Sequence, residues 1–521
     1  MDLNMNSISL SILIPILVAI YLLGLCIARL FLSPIAHIPG PKLAALTFWY
    51  EFYYDVICRG QYFREIDRLH GIYGRIIRIN PYEIHIQDPA FYSTLYTGAT
   101  KKRHKWAWAA RMFGNNTSAF STVRHEHHRV RRGALNPLFS KSAIHRITPR
   151  ILDRLGQLVG RLDMFCPSTA SGYCKDNGMG QAVDLGMAFT AFAADVITEY
   201  CFGSSLDLIH TRDFGADWVE MVSAPSELGH LVKQCPWVLP LLRYFPRALV
   251  RKMAPLIAFL YEVQETMSSQ IQPLVDRVQQ EKAGSKPSTV FETLLAGDLP
   301  AAEKTVQRLK GEGQTLIGAG TLTTGNALKT ILFHVQDNPE ILERLQCELD
   351  TALEGIDVLG LPDTSTLERL PYLTAVINEG LRLAYGVTHR LQLLAEEPLV
   401  YSDKTLPVGT PISMTSIFMH DNPAVFPSPR TFSPDRWLEM SPEDRSKIMG
   451  KHFVPFSKGT RMCLGMHLAY AEMYLVLATV FTRYKVVLDG TRREDVEMAH
   501  DFFDPAPMKG ARGLVVRLQR R

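Results

Sequence analysis

Nowhere in these 521 residues do two cysteines stand as C-x-x-C, although the chain has eight. They lie far apart, at Cys26, Cys58, Cys166, Cys174, Cys201, Cys235, Cys347 and Cys463. That scatter excludes a zinc ribbon and a disulfide-stapled secreted scaffold, and it suits thiols kept reduced in a cytosolic compartment. An excess of one charge is missing too: 56 Lys and Arg against 52 Asp and Glu leave a net +4. No nucleic acid is therefore expected as a main partner, although a local basic patch can still dock an acidic protein. There is no visible repeat and no strand–helix alternation of the kind that builds a doubly wound sheet. The glycines of "LIGAGTLTTGNAL" (316–328) lack the G-x-G-x-x-G spacing of a nucleotide-binding turn and sit inside a helical pattern.

Near the N-terminus what is missing is charge itself. From Ile8 to Ala28 there are 21 residues without a charged side chain. As a helix they span about 31 Å, close to the hydrocarbon thickness of a bilayer. No Lys or Arg precedes the run. Asp2 does, and Arg29 and Lys42 come after it. A cleaved signal peptide has the opposite charge order, so the run reads as a retained single-pass anchor with the rest of the chain on the cytosolic side. Pro15 is expected to kink this helix without ending it.

The rest of the chain has ample core material, with 47% of all residues apolar. "IAHIPGPKLAA" carries Pro39, Gly40 and Pro41, an elbow that cannot continue a helix. "YGRIIRINPYEIHIQDP" (73–89) alternates around Asn80-Pro81 and predicts a hairpin of two short strands. Helical periodicity dominates from about 90 to 350, broken by polar loops at 166–181 and 282–289. A long apolar helix is expected from about Thr305 to Val335. Strand-like pieces return at 390–415 and 484–518. The fold class is mainly α with small sheets (α+β), and the division is a membrane anchor over 1–33 and one domain over 34–521.

The chemistry centres on "FSKGTRMCLG" (456–465). A lone cysteine is most often a small buried hydrophobe. Cys463, however, ends a glycine-containing loop where a long helix starts, and a helix start favours a thiolate. Gly459 and Gly465 would let the backbone approach a large planar group, Arg461 could pair with a carboxylate on it, and Phe456 could pack beside the sulfur.

The pattern F-x-x-G-x-R-x-C-x-G resembles that of the cytochrome P-450 haem-thiolate monooxygenases, and the resemblance extends over the chain after the anchor. "EGLR" supplies Glu379 and Arg382 at i and i+3, and "FSPDRW" supplies Arg436, which in the family completes a Glu–Arg–Arg network under the cysteine loop. "HEHHRVRRGALNPLF" (125–139) matches a helix whose aromatic or His and following Arg hold haem propionates, here His128 and Arg132. The rival readings of that stretch are a His-rich metal site and a solvated basic face. Arg390 is the nearest candidate for a further propionate arginine. In 316–328, the resemblance implies that Ala319 and Gly320 leave room for dioxygen and that Thr323 donates a hydrogen bond to iron-bound oxygen. The family usually has an acid just before this threonine. Here that residue is Leu322, so the usual acid–alcohol proton route lacks its acid.

The resemblance implies haem b with Cys463 as the axial iron ligand. It also implies O2 and a lipophilic small molecule as substrates, and electrons from an NADPH-dependent flavoprotein reductase docking near Lys451 and Lys458. The location implied is the endoplasmic reticulum membrane. "IPGPKLAALTFWYEFYYDV", "EGLRLAYGV" and "DVEMAHDFF" are similar to fungal biosynthetic enzymes of the trichodiene oxygenase type, which implies a terpenoid or polyketide-like intermediate. The alternatives are a haem-thiolate isomerase, dehydratase or peroxygenase, and a non-catalytic haem- or lipid-binding membrane protein.

Overall fold

Thr305 sets where the longest described helix begins. Its hydroxyl accepts the Arg308 N–H, and the helix then runs unbroken from Val306 to Gln336. Asn338-Pro339 opens the next helix, Pro339–Ala352, because proline suits a first turn and not a helix interior. The expected bounds of this long helix, 305–335, differ from the observed ones by one residue at each end. The computed structural model describes residues 5–167, 179–280, 287–361 and 363–521. Cys174 and most of the two expected polar loops lie outside those residues. The other seven cysteines form no disulfide.

The Val306–Gln336 helix is the axis of the molecule. Leu185–Phe202 crosses it with nearly every side chain buried, and Pro371–Ala384 and Met466–Arg483 pack around it in the main apolar core. Short strands gather at one side. Ile76–Arg78 and Ile84–Ile86 form the expected hairpin, with Ile76 opposite Ile86. The five-stranded sheet continues through Ile412–Ser413 and Leu393–Ala395 to Arg103–Lys105. Within it only the pairing of Ile84–Ile86 with Ile412–Ser413 is parallel. Near the C-terminus, Tyr484–Leu488 and Val515–Arg520 pair in a second sheet, and His500–Phe502 folds back on Asp504–Ala506 with Phe503 at the tip.

The apolar N-terminal run is helical from Met5 to Ile27, with Pro15 inside, and ends in a wider π-helical turn at Ala28–Leu32. Residues Ile12–Leu32 have a mean hydropathy of 2.4 and none is buried, as a membrane span requires. Leu185–Phe202 is also apolar enough by length, but it is 83% buried and is a core helix. The boundary at residue 33 is not a clean break: buried Arg78 donates to the Arg29 carbonyl at 2.8 Å, and Arg29 reaches the Leu46 carbonyl. The Pro39 elbow is pinned to the first strand in the same region, its carbonyl accepting the Arg78 N–H at 2.7 Å.

Candidate active site

Cys463 stands two residues before the cap of the Met466–Arg483 helix, deep in the molecule yet open to a large internal cavity. Its own N–H donates to the Phe456 carbonyl at 2.9 Å, which closes the loop on itself. Burial pushes the thiol up, while the N–H groups of Gly465 and Met466 and the charge of Arg132 pull it down. The helix start thus opposes the desolvation of the anion without overcoming it: on balance the thiol lies above its ordinary value, whereas the sequence led one to expect a thiolate. Phe456 lines the cavity and packs at 5.3 Å on Tyr470. Gly459 serves the protein itself: its φ is +71°, and a Cβ there would lie 2.1 Å from the Thr97 carbonyl oxygen. Gly465 has nothing near its Cβ direction and lines the cavity.

Beneath the loop, fully buried Glu379 accepts from Arg382 Nε at 3.0 Å and Nη2 at 2.9 Å, and from Arg436 Nε at 2.9 Å. Trp437 Nε1 and the Ser433 N–H complete the shell at 3.0 and 2.9 Å. Sequence reasoning missed the residue that carries this network to the cysteine. His420 Nδ1 donates to the Arg382 carbonyl at 3.0 Å, and its Nε2 accepts the Val454 N–H at 3.0 Å, two residues before Phe456. Burial and then Arg382 push the His420 imidazole down to about 3, so it stays neutral in the tautomer these bonds require.

At one edge of the cavity four basic side chains converge: His128, Arg132, Lys105 and Arg461. His128 and Arg132 lie on the His125–Leu135 helix, one turn apart on the face toward the cavity. The neighbouring His127 and Arg131 turn instead to Glu303, at 2.6 and 2.7 Å, and His125 accepts the Arg103 N–H. The histidine-rich stretch therefore does not gather into one metal site. Arg461 donates to the Thr122 and Val123 carbonyls at 2.6 and 3.0 Å, while its Nε has no partner among the described residues. His128 Nδ1 is likewise unpartnered there. Burial and the Arg132 charge push Arg461 down to about 10; burial, then Arg461, Lys105 and Arg132, push His128 down to about 2. Lys105, its ammonium 3.1 Å from the Phe120 ring centroid, is depressed by burial and by Arg461. Such mutual depression marks a site built for anions from outside the chain.

Arg390 is a correction. His389 and Leu391 line the cavity, and Arg390 between them does not. Its guanidinium meets Glu51 and, at 3.1 Å, Glu83, in a buried cluster with Lys233 and Asp55. Those carboxylates outweigh burial and hold its proton more tightly than usual. Arg390 does not line the cavity and cannot reach the propionate edge.

The opposite wall is the Val306–Gln336 helix, with Ala319, Gly320 and Thr323 on it. A Cβ on Gly320 would lie 2.9 Å from Ile197 Cγ1, so the glycine makes room for the crossing helix as well as lining the cavity. Ala319, exposed to the cavity, is another small residue facing it. The Thr323 hydroxyl donates to the Ala319 carbonyl at 2.7 Å, so the expected donation into the cavity is not made and its oxygen is left to accept there. Leu322 is absent from the cavity wall, and a carboxylate at that position would start from outside it.

A family profile described as Cytochrome P450 matches residues 39–507. The chain belongs to that family. It is 64% identical over 509 residues to the N-acetyltryptophan 6-hydroxylase of Emericella nidulans, covering 98% of this chain and 97% of that protein. The tryptophan 6-hydroxylase of Fusarium equiseti is 56% identical over 519 residues, covering 98% and 99%. A cytochrome P450 monooxygenase of Sordaria araneosa is 41% identical over 513 residues, 96% of each chain. The protein is thus a P450 monooxygenase of fungal secondary metabolism, taking O2, a small-molecule substrate and electrons from a redox partner. P450s use haem iron held by a cysteine thiolate. The residues here fit that group: a lone thiol, the neutral His128, and Arg132, Lys105 and Arg461, none of them in a salt bridge among the described residues, line one cavity, as an iron porphyrin with two carboxylates requires. The terpenoid expectation finds no support in the first two relatives, whose names specify indole substrates.

Proposed function

We propose that this P450 hydroxylates the indole ring of N-acetyltryptophan, or of tryptophan itself, at carbon 6. The 64% identity over 98% of the chain to an enzyme named for that reaction carries the reading. The cavity supports it. Phe113, Phe120 and Phe503 meet at centroid distances of 4.8 to 5.8 Å, two of the three pairs edge to face, beside Trp218, Met221 and Val222. Such a wall takes a flat bicyclic ring through aromatic contact.

In this reading Cys463 would hold the haem iron through its sulfur, and His128, Arg132, Lys105 and Arg461 would hold the propionates. When bound, the haem iron supplies the oxidising chemistry that the side chains lack. One oxygen atom of O2 enters the C6–H bond to give a hydroxyl, and the other leaves as water. Two electrons come from NADPH and the two protons from solvent. Thr323, its hydroxyl donating to the Ala319 carbonyl, keeps an oxygen lone pair with which it would hold a water on the cavity wall, within reach of the reacting oxygen. The reductase docks on the cysteine side, where Lys451 is free in solvent at the end of the Pro442–Lys451 helix. Lys458 is engaged by the Gly450 carbonyl. The N-terminal helix anchors the protein in the endoplasmic reticulum membrane with residues 34–521 in the cytosol.

The test is a panel: microsomes carrying this chain and a P450 reductase, given NADPH and N-acetyltryptophan, tryptophan or a sesquiterpene. Substrate-dependent NADPH oxidation with a product 16 mass units heavier is expected from the indoles. Turnover of the sesquiterpene alone would overturn the reading.

A further inference from the structure

The cavity wall is mostly apolar, and one acid on it has no counter-charge. Asp504 follows Phe503 at the tip of the hairpin between His500–Phe502 and Asp504–Ala506. Phe503 has φ +74°, a costly value for an aromatic residue. It is held there by the Thr388 N–H and hydroxyl on its carbonyl, at 2.9 and 3.1 Å, and by the Asp501 carboxylate on its N–H at 3.0 Å. The tip is therefore fixed, and Asp504 is fixed with it. Ser226, on the Ala216–Gln234 helix, donates to Asp504 Oδ2 at 3.1 Å. Among the described residues no basic side chain pairs with this carboxylate, whereas Asp501, three residues earlier, is met by Thr388 and His389. Burial pushes the Asp504 carboxyl up to about 7, Ser226 holding it back and Asp501 adding to the rise. A half-buried carboxyl on a cavity wall, with one hydroxyl for company, has acceptor capacity to spare, and a ligand that supplies N–H donors uses it.

We propose that Asp504, steadied by Ser226, accepts the N–H on the α-nitrogen of the substrate and so selects α-amino or α-acylamino indoles. This rests on the indole reading above. Phe503 belongs to the aromatic wall and Asp504 is the next residue, so one hairpin tip presents a ring contact and an acceptor side by side. An α-nitrogen lies two carbons from the indole ring, a separation that lets both contacts form at once. The chemistry has two sources, the ammonium of tryptophan and the amide N–H of its N-acetyl derivative.

The experiment measures dissociation constants by calorimetry for full-length, haem-loaded protein with tryptophan, N-acetyltryptophan and indole-3-propionic acid. The last keeps the ring, its N–H and the carboxylate but has no α-nitrogen. Asp504→Leu should weaken whichever α-nitrogen ligand the wild type prefers by about ten- to a hundredfold and leave indole-3-propionic acid unchanged. Asp504→Asn, nearly isosteric, separates the sources: it keeps an acceptor for an amide N–H and loses the ion pair with an ammonium. Ser226→Ala should give a smaller loss with the same ligand pattern. Equal weakening of all three ligands by Asp504→Leu, or none, overturns the proposal. Failure of the wild type to bind any indole overturns the underlying substrate reading, and this proposal with it.

Discussion

Gly320→Ala puts one methyl group between two helices and asks what the glycine is for. An ideal Cβ at this position lies 2.9 Å from Ile197 Cγ1, 3.2 Å from its Cβ and 3.4 Å from its Cγ2. Ile197 is 2% exposed, on a helix packed into the core, and the cavity it borders is the open side toward which it would have to shift. Overpacking of this kind costs about 1–3 kcal/mol. The alanine returns up to about 1 kcal/mol of helix propensity. The net is a loss of up to about 2 kcal/mol, which at about 2.1 cal/mol/K per residue lowers the melting temperature of a 521-residue chain by up to about 2 °C. Ile197→Ala removes both Cγ atoms on the other side, so the double variant should cost less than the two single changes added together. The assay is thermal unfolding of the haem-loaded protein, with the carbon monoxide difference spectrum recorded in parallel. If the single variant melts with the wild type and binds carbon monoxide poorly, and the costs of Gly320→Ala and Ile197→Ala simply add, the glycine serves the cavity and the packing argument is wrong.

Glu379→Gln keeps the shape under the cysteine loop but leaves Arg382 and Arg436 without their buried counter-charge, at a cost of about 3–5 kcal/mol. Purified variant should lose haem and melt early; unchanged haem content would refute the support role. Glu303 accepts from Arg131, His127 and Arg308; burial alone would raise its carboxyl, but these partners hold it down to about 2 from a usual 4.5. Because the folded value is the lower one, this stabilisation is complete above about pH 5 and is lost as pH falls toward 2. Water reaches the cluster, His127 being 47% exposed, so the contribution is about 1–2 kcal/mol, and Glu303→Gln should flatten the acid limb of the stability curve. An acid limb identical to wild type would contradict this. Removing residues 1–27 keeps the Arg29 contacts to Arg78 and Leu46 and should leave haem content intact while making the protein extractable by alkaline carbonate; retention in the membrane pellet as full as that of the intact chain would remove the anchor.

Elements with their own local signals were legible in the sequence. The Val306–Gln336 helix carries a Thr cap and a Pro just beyond it, and the Ile76–Ile86 hairpin alternates around a proline turn. The cysteine loop is a ten-residue pattern. What sequence could not supply depends on residues hundreds of positions apart. Arg390 looked like a propionate arginine because Glu51 and Glu83, more than 300 residues away, leave no trace beside it. Gly320 looked only like space for oxygen because Ile197 lies on another helix. His420 and Lys105 sit in unremarkable stretches, and only the fold brings them to the Val454 N–H and to Arg461. Substrate class was the least legible of all. The cavity draws its wall from segments near 113–120, 218–226, 314–327, 387–391 and 503–504, and short similarities elsewhere pointed to a terpenoid.

The proposed reaction places one atom of O2 on carbon 6 of an indole. It is tested most directly by supplying the purified protein and a P450 reductase with NADPH, N-acetyltryptophan or tryptophan, and 18O2. The account predicts a product two mass units heavier than that formed under 16O2, with the hydroxyl located at C6 by proton NMR and no such product from Cys463→Ala. Oxygen from water in the product, a hydroxyl at another position, or turnover that survives Cys463→Ala would contradict it.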